Sequence, residues 1–213
     1  MSRSPRSALR PWMALAAAGV VVLVAAGFNV KVVSTADADA AATEGQLDPA
    51  AYAADQFGTI TGHVQDEAVE LPDLLSQLAA GADESELGNT SGASSAYAFP
   101  VTFTGVAGAA TAPVMPVTVE GVPPETTVQV QVGPALSGTA LRDVTGDISF
   151  NEFTNQLEYQ NVATQLNDLV RTDVLADFDA AAAQGKSITV TGAFLRVNPQ
   201  LVSVVPISIE VAP

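Results

Sequence analysis

The chain has 213 residues, 48% of them hydrophobic, enough for a packed core and too many for wholesale disorder. With no cysteine and a single histidine, His63, it excludes disulfides, thiolate nucleophiles, zinc fingers, iron–sulfur ligation and any site needing two imidazoles. Eight basic against 23 acidic residues give a formal charge of −15, and a surface that acidic repels phosphate backbones, so nucleic acid is not expected as a partner.

The basic residues are unevenly placed. Arg3, Arg6 and Arg10 lie in a tail over residues 1–10, ahead of an uncharged span over residues 11–30 that Lys31 closes. As a helix, those 20 residues rise ~30 Å, the thickness of a bilayer's hydrocarbon core. All acidic residues follow the span, so the positive-inside rule puts residues 1–10 in the cytoplasm and the body of the protein outside. Two readings of residues 11–30 stay open. One is an uncut signal anchor, favoured by the long apolar run and by Trp12 near one end; the other is a cleaved signal peptide with a small-residue site at Val24-Ala25-Ala26 or Ala25-Ala26-Gly27. The expected location is therefore the cell membrane, single-pass with the C-terminal domain extracytoplasmic, or the periplasm if the signal is cut.

Residues 31–46 are small, polar and acidic without hydrophobic period and read as a flexible stalk, leaving residues 47–213 as the extracytoplasmic domain. Asp48-Pro49 starts a helix expected to end near Phe57. A second helix begins near Pro72, with Leu71, Leu74, Leu75 and Leu78 on one face and Gly81 as its stop. Residues 82–96 read as an exposed loop.

From residue 97 the period changes to two. Phe99, Val101 and Phe103, then Val117 and Val119, then Val128, Val130 and Val132 alternate with polar or turn residues, three strands in a meander. A helix follows, with Val162, Leu166, Leu169, Val170 and Val174 on one face. Ile188 and Val190 open a fourth strand. In the fifth, Val202 and Val204 have one parity and Ile207, Ile209 and Val211 the other, so a bulge or edge position is expected at Pro206. The class is α+β, mainly β. The order strand, strand, strand, helix, strand, strand is that of a five-stranded OB-like antiparallel barrel, the alternative being an open antiparallel sheet with the helix on one face.

Catalytic signatures are absent. No G-x-S-x-G elbow accompanies His63, no phosphate-cradling motif exists, and nothing singles out a carboxylate pair among 23 acids. An EF-hand alignment can be made over residues 141–152, with Gly146 at the sharp turn and Glu152 last, but Leu141 takes the first ligand position. No metal, cofactor or catalytic residue is expected. The stretch with most chemical character is residues 133–167, where Arg142, Asp143, Asn155, Gln156 and Asn167 are the candidate ligand- or partner-binding residues: arginine beside amides and aromatics suits a sugar or a carboxylate. The competing reading is structural, an Arg142–Asp143 ion pair and an Asn155 helix cap.

The runs GTALRD and ISFNEFTNQLEY, with GKSITVTGAF and VVPISIEVA downstream and LDPAAYAADQF upstream, resemble an uncharacterised family of predicted bacterial periplasmic lipoproteins, a domain of unknown function, over about residues 45–212. The resemblance implies an exported, membrane-tethered protein whose genes often lie beside those of carbohydrate ABC transporters, and it transfers no activity and no site. Where relatives carry a lipidated cysteine, Asn29-Val30-Lys31 stands here, so the membrane contact falls to residues 11–30. The functions to separate are a non-enzymatic accessory or binding protein of a solute (for example carbohydrate) uptake system, with transporter components or a small solute as partner; an extracytoplasmic hydrolase using carboxylates; and a purely structural envelope protein.

Overall fold

The alternating apolar residues fold as their period demands. In the computed structural model, which describes residues 47–92 and 96–212, five strands carry them: β2 (Ala98–Ala107), β3 (Val114–Val119), β4 (Thr127–Gln131), β5 (Ser187–Leu195) and β6 (Leu201–Val211). Phe99, Val101, Phe103, Met115, Val130, Ile188, Val190 and Val204 turn inward and are almost completely buried. The Phe99 and Phe194 rings stack at 5.6 Å inside. The tail at 1–10, the apolar span at 11–30 and the stalk at 31–46 lie outside the described residues.

The strand order is β2–β3–β4–β6–β5, and β5 pairs back onto β2 from Ala98↔Leu195 to Val106↔Ser187, closing a barrel. The expectation of a closed OB-like barrel is met, and that of an all-antiparallel one is corrected. Four neighbouring pairs are antiparallel, while β4 and β6 run parallel, Thr127 opposite Leu201 and Val130 opposite Val204. Closure forces this: strands that alternate in direction around a ring of five must meet one neighbour running the same way. The parallel pair needs a long crossover, and residues 132–200 supply it.

The bulge falls where the parity change puts it. Thr191 pairs with Ser208 but Gly192 with Pro206, so Ile207 is the extra residue on β6. Gly192 is required there, because a Cβ on it would lie 2.3 Å from the Val205 carbonyl oxygen.

Helices pack on the barrel in two places, one group joining its interior core and the other its outer face. Asp48 caps α1 (Pro49–Glu67) by accepting from the Ala50 N–H at 2.9 Å. The helix runs well past Phe57, the expected end, because Ile60 and Val64 extend its buried face and Gly58 and Gly62 stand in open space. His63 therefore sits on this helix, half-buried, with its Nε2 unpartnered. A two-residue strand, β1 (Val69–Glu70), pairs parallel with β2, and α2 (Leu71–Ala79) presses Leu71, Leu74 and Leu75 onto the barrel core. The segment read as a loop contains one helical turn, α3 (Glu84–Leu87), because the Asp83 carboxylate accepts from the Ser85 N–H and hydroxyl at 2.9 and 2.8 Å. Those bonds hold the Asp83 carboxyl below its usual range.

The crossover carries α4 (Ala140–Asp143), a 3₁₀ turn (Phe150–Glu152), α5 (Gln156–Leu169), a π-helical turn (Val170–Val174) and α6 (Ala180–Ala183). Val162, Leu166 and Val170 are fully buried, as their spacing predicts, in a second core with Ile60, Val64, Leu141 and the barrel's outer residues Ala193 and Val205. Among the described residues, no helix is long and apolar enough to cross a membrane.

Candidate functional site

The most distinctive polar group of the crossover faces inward. Arg142 and Asp143 are only 6% and 2% exposed. Arg142 donates from Nε to Asp143 Oδ1 at 2.7 Å and from Nη2 to Oδ2 at 3.2 Å, the bidentate fork that suits a planar guanidinium. Thr139 Oγ1 donates to Asp143 Oδ2 at 2.6 Å, and Arg142 Nη1 donates to the Tyr159 carbonyl at 3.4 Å. The guanidinium carbon also stands 3.7 Å from the centroid of the Tyr159 ring, a cation–π contact. These contacts tie α4 to α5.

Tyr159 belongs to an aromatic chain. Its ring lies 5.3 Å from Phe153 and 5.6 Å from Phe150, and Phe153 lies 5.3 Å from Tyr52 on α1. Tyr52 donates its hydroxyl proton to Glu152 Oε2 at 3.1 Å, while Glu152 Oε1 accepts from the Ser149 N–H and closes a capping box. Burial first, then the bond and charge of Glu152, push the Tyr52 hydroxyl up from 10.0 to about 12.

The remaining candidates spread along α5. Asn155 caps it, accepting from the Glu158 N–H at 3.0 Å and donating to Glu158 Oε1 at 3.1 Å. Gln156 is exposed, with no side-chain partner among the described residues. Asn167 lies roughly 16 Å farther along the axis at 1.5 Å per residue, buried, and donates to the Gly138 carbonyl at 3.0 Å. The fold thus joins Arg142 to Asp143, puts Asn155 beside Gln156 and holds Asn167 apart. Among the described residues, none of the five principal clefts gathers all five candidates.

A concave site does form next to this assembly, on the outer face of the parallel β4–β6 pair. It is a groove of about 280 Å³ walled by residues 137–140 and by the link from β5 to β6. Its apolar lining is Ala140, Leu195, Val197, Leu201 and Val205, and its polar lining is Gln131, Ser137, Asn198 and Ser203. The wall is fixed from behind: Gln131 Nε2 donates to the Ser137 carbonyl at 3.1 Å, Gln131 Oε1 accepts from the Ser137 N–H at 2.8 Å, and Asn167 holds Gly138.

Three polar groups are left available. Ser203 Oγ accepts from Gln129 Nε2 at 3.0 Å and keeps its own proton to donate; Asn198 Oδ1 accepts from the Gln200 N–H at 2.9 Å, leaving its amide N–H groups free; the Ser137 hydroxyl has no partner among the described residues. No ionisable side chain lines the groove, although residues 47–213 carry 20 acidic and 4 basic residues. Such a surface can hold a neutral molecule by apolar contact and hydrogen bonds, and it offers no acid–base pair. Sequence reading missed these residues because Leu201, Ser203 and Val205 sit in an ordinary strand; the hint was Ser203, which interrupts an otherwise apolar run.

A closed five-stranded mixed barrel with a helical excursion between its third and fourth strands is an OB fold. An OB-fold protein from Thermotoga maritima MSB8, known from its crystal structure, is similar with a TM-score of 0.63 and 16% identity, over 78% of this chain and 99% of that one, a likeness of fold. The chain belongs to the family described as Predicted periplasmic lipoprotein (DUF2291), whose model matches residues 18–210. That description fits an extracytoplasmic protein of a family whose function is not known. No curated protein matches the chain.

Proposed function

We propose that the chain is a membrane-tethered, non-enzymatic extracytoplasmic binding protein, an accessory of a solute uptake system, which holds a small uncharged solute such as a carbohydrate in the β4–β6 groove. The observation that carries this reading is the groove itself: about 280 Å³, an apolar floor, free hydroxyl and amide donors, and no charge in its lining. A hydrolase using two carboxylates would need them beside the bound solute, and the groove supplies neither. The tether is assigned to residues 11–30, whose uncharged run follows three arginines.

Thermal unfolding of the purified full chain in the presence of neutral mono- and disaccharides tests the proposal. A solute at about 100 times its Kd adds ~2.7 kcal/mol to stability. Leu201→Arg, which fills the groove and charges it, should abolish the shift, and Asn198→Ala should weaken it while lowering unliganded stability by no more than about 1.5 kcal/mol, the cost of its bond to the Gln200 N–H. A panel in which no neutral solute raises the transition, or in which Leu201→Arg responds as the parent does, would remove the groove from consideration.

A further inference from the structure

A second cleft lies where the π-helical turn and α6 meet the start of β5 and the end of β6. It measures about 330 Å³ and contains Lys186, Asp177 and Asp179 beside Val174, Phe178 and Ile209. Three of the four cations in residues 47–213 are committed to ion pairs: Arg142 with Asp143, Arg171 with Asp168 and Arg196 with Glu84. Lys186 forms none among the described residues, although two carboxylates line the same cleft. Its backbone is fixed: its N–H donates to the Ala183 carbonyl at 3.0 Å, and its own carbonyl accepts from the Ala107 N–H at 3.0 Å.

The carboxylates are available as well. Asp179 Oδ1 accepts from the Ala181 and Ala182 N–H groups, both at 3.0 Å, which leaves Oδ2 unused. Asp177 has no side-chain partner among the described residues. Opposite charges that line one cleft without pairing with each other match a ligand that carries both charges itself. A simple anion would be repelled by the acidic domain, and a simple cation would leave Lys186 unanswered. The apolar wall of Val174, Phe178 and Ile209 adds a surface for a hydrocarbon side chain. The π turn at Val170–Val174, a helix irregularity often found at functional sites, ends on that wall.

We propose that this cleft binds a small zwitterion with an apolar side chain, of the class of the aliphatic and aromatic α-amino acids. Its carboxylate meets Lys186, its ammonium meets Asp177 and Asp179, and its side chain lies against Phe178, Val174 and Ile209. The site is separate from the β4–β6 groove and stands whether or not that groove holds a solute.

Calorimetric titration of the full chain with L-leucine, L-leucinamide and N-acetyl-L-leucine tests it. Leucine should bind with a Kd below about 1 mM, and each single-charge derivative about tenfold or more weaker. Lys186→Met should lose leucine binding and Lys186→Arg keep it. Asp179→Asn retains a good helix cap while removing the charge, so weaker binding there reports the carboxylate rather than the fold. Absence of leucine binding at 10 mM, taken as about ten times the expected Kd ceiling, would overturn the proposal. So would equal affinity for N-acetyl-leucine, or unchanged binding by Lys186→Met.

Discussion

The Arg142 guanidinium carbon stands over the Tyr159 ring, 3.7 Å from its centroid, while Nε and Nη2 of the same group bond the two carboxylate oxygens of Asp143. All three of its nitrogens donate within the protein, so the arginine most suggestive of a ligand site works as a bolt between α4 and α5. Removing it strands a carboxylate that is 2% exposed. Arg142→Ala should therefore cost about 3–5 kcal/mol, the penalty of breaking a buried pair. Gln156→Ala, on the surface of α5, should stay within about 0.5 kcal/mol. Urea denaturation of the two variants checks the contrast, and equal stabilities would show that the Arg142 pair contributes nothing.

Tyr52 gives the fold an alkaline limit. Its hydroxyl titrates near 12 in the folded chain against 10.0 when unperturbed, so the folded state holds this proton more tightly. The resulting stability is fully present below pH 10 and is lost as pH rises toward 12. Denaturation midpoints across that window should fall more steeply for the parent than for Tyr52→Phe. Glu152→Gln should bring the phenol's ultraviolet titration back toward 10, because it removes the charge that the phenolate meets.

Two glycines should respond to alanine with opposite signs. At Gly192 a Cβ meets the Val205 carbonyl oxygen at 2.3 Å and the Pro206 Cα at 2.9 Å, backbone atoms that yield only if the bulge moves, so Gly192→Ala should cost about 2 kcal/mol or more. Gly58 sits inside α1 with nothing within 4 Å of the added atom, and Gly58→Ala should gain ~0.5–1 kcal/mol. Calorimetric transition temperatures of the pair give the answer directly.

A topology reporter tests the tether. Alkaline phosphatase fused after Pro213 should be active and a cytoplasmic reporter at the same place silent. The reverse pattern would overturn the outward placement of residues 47–213. A mature N-terminus near Gly27 or Phe28 would keep export and replace the anchor with a cut signal.

The sequence made the barrel's strands legible because burial on one face leaves a period of two, and Phe99, Val101 and Phe103 could hardly read otherwise. It also marked the bulge, since Pro206 sits where the parity of β6 switches. The parallel β4–β6 pairing was hidden, being a property of ring closure rather than of either strand. The length of α1 was hidden for a different reason: Gly58 and Gly62 look like stops until the packing of Ile60 and Val64 outweighs their low helix propensity. In residues 133–167 the sequence leaves two readings of Arg142 and Asn155 open, ligand contacts or a local ion pair and helix cap, because chemical type does not say what a polar side chain faces; the fold contains the pair and the cap. The groove was invisible because Ser137 is far in sequence from Leu195 and Ser203 and meets them only after the crossover folds back.

The parallel pair also fixes the order in which the barrel can be completed. Thr127 waits for Leu201, and β5 waits for the same strand on its other side. In a chain made from its N-terminus, β2, β3 and β4 can assemble as a hairpin sheet long before β6 exists, and β4 then presents a bare edge. Such an edge invites pairing with other chains, and long-range pairings of this kind are slow to form. Leu201–Val211 is therefore the latch of the molecule: a lesion that weakens this strand should appear first as aggregation during synthesis and only later as a lower melting temperature.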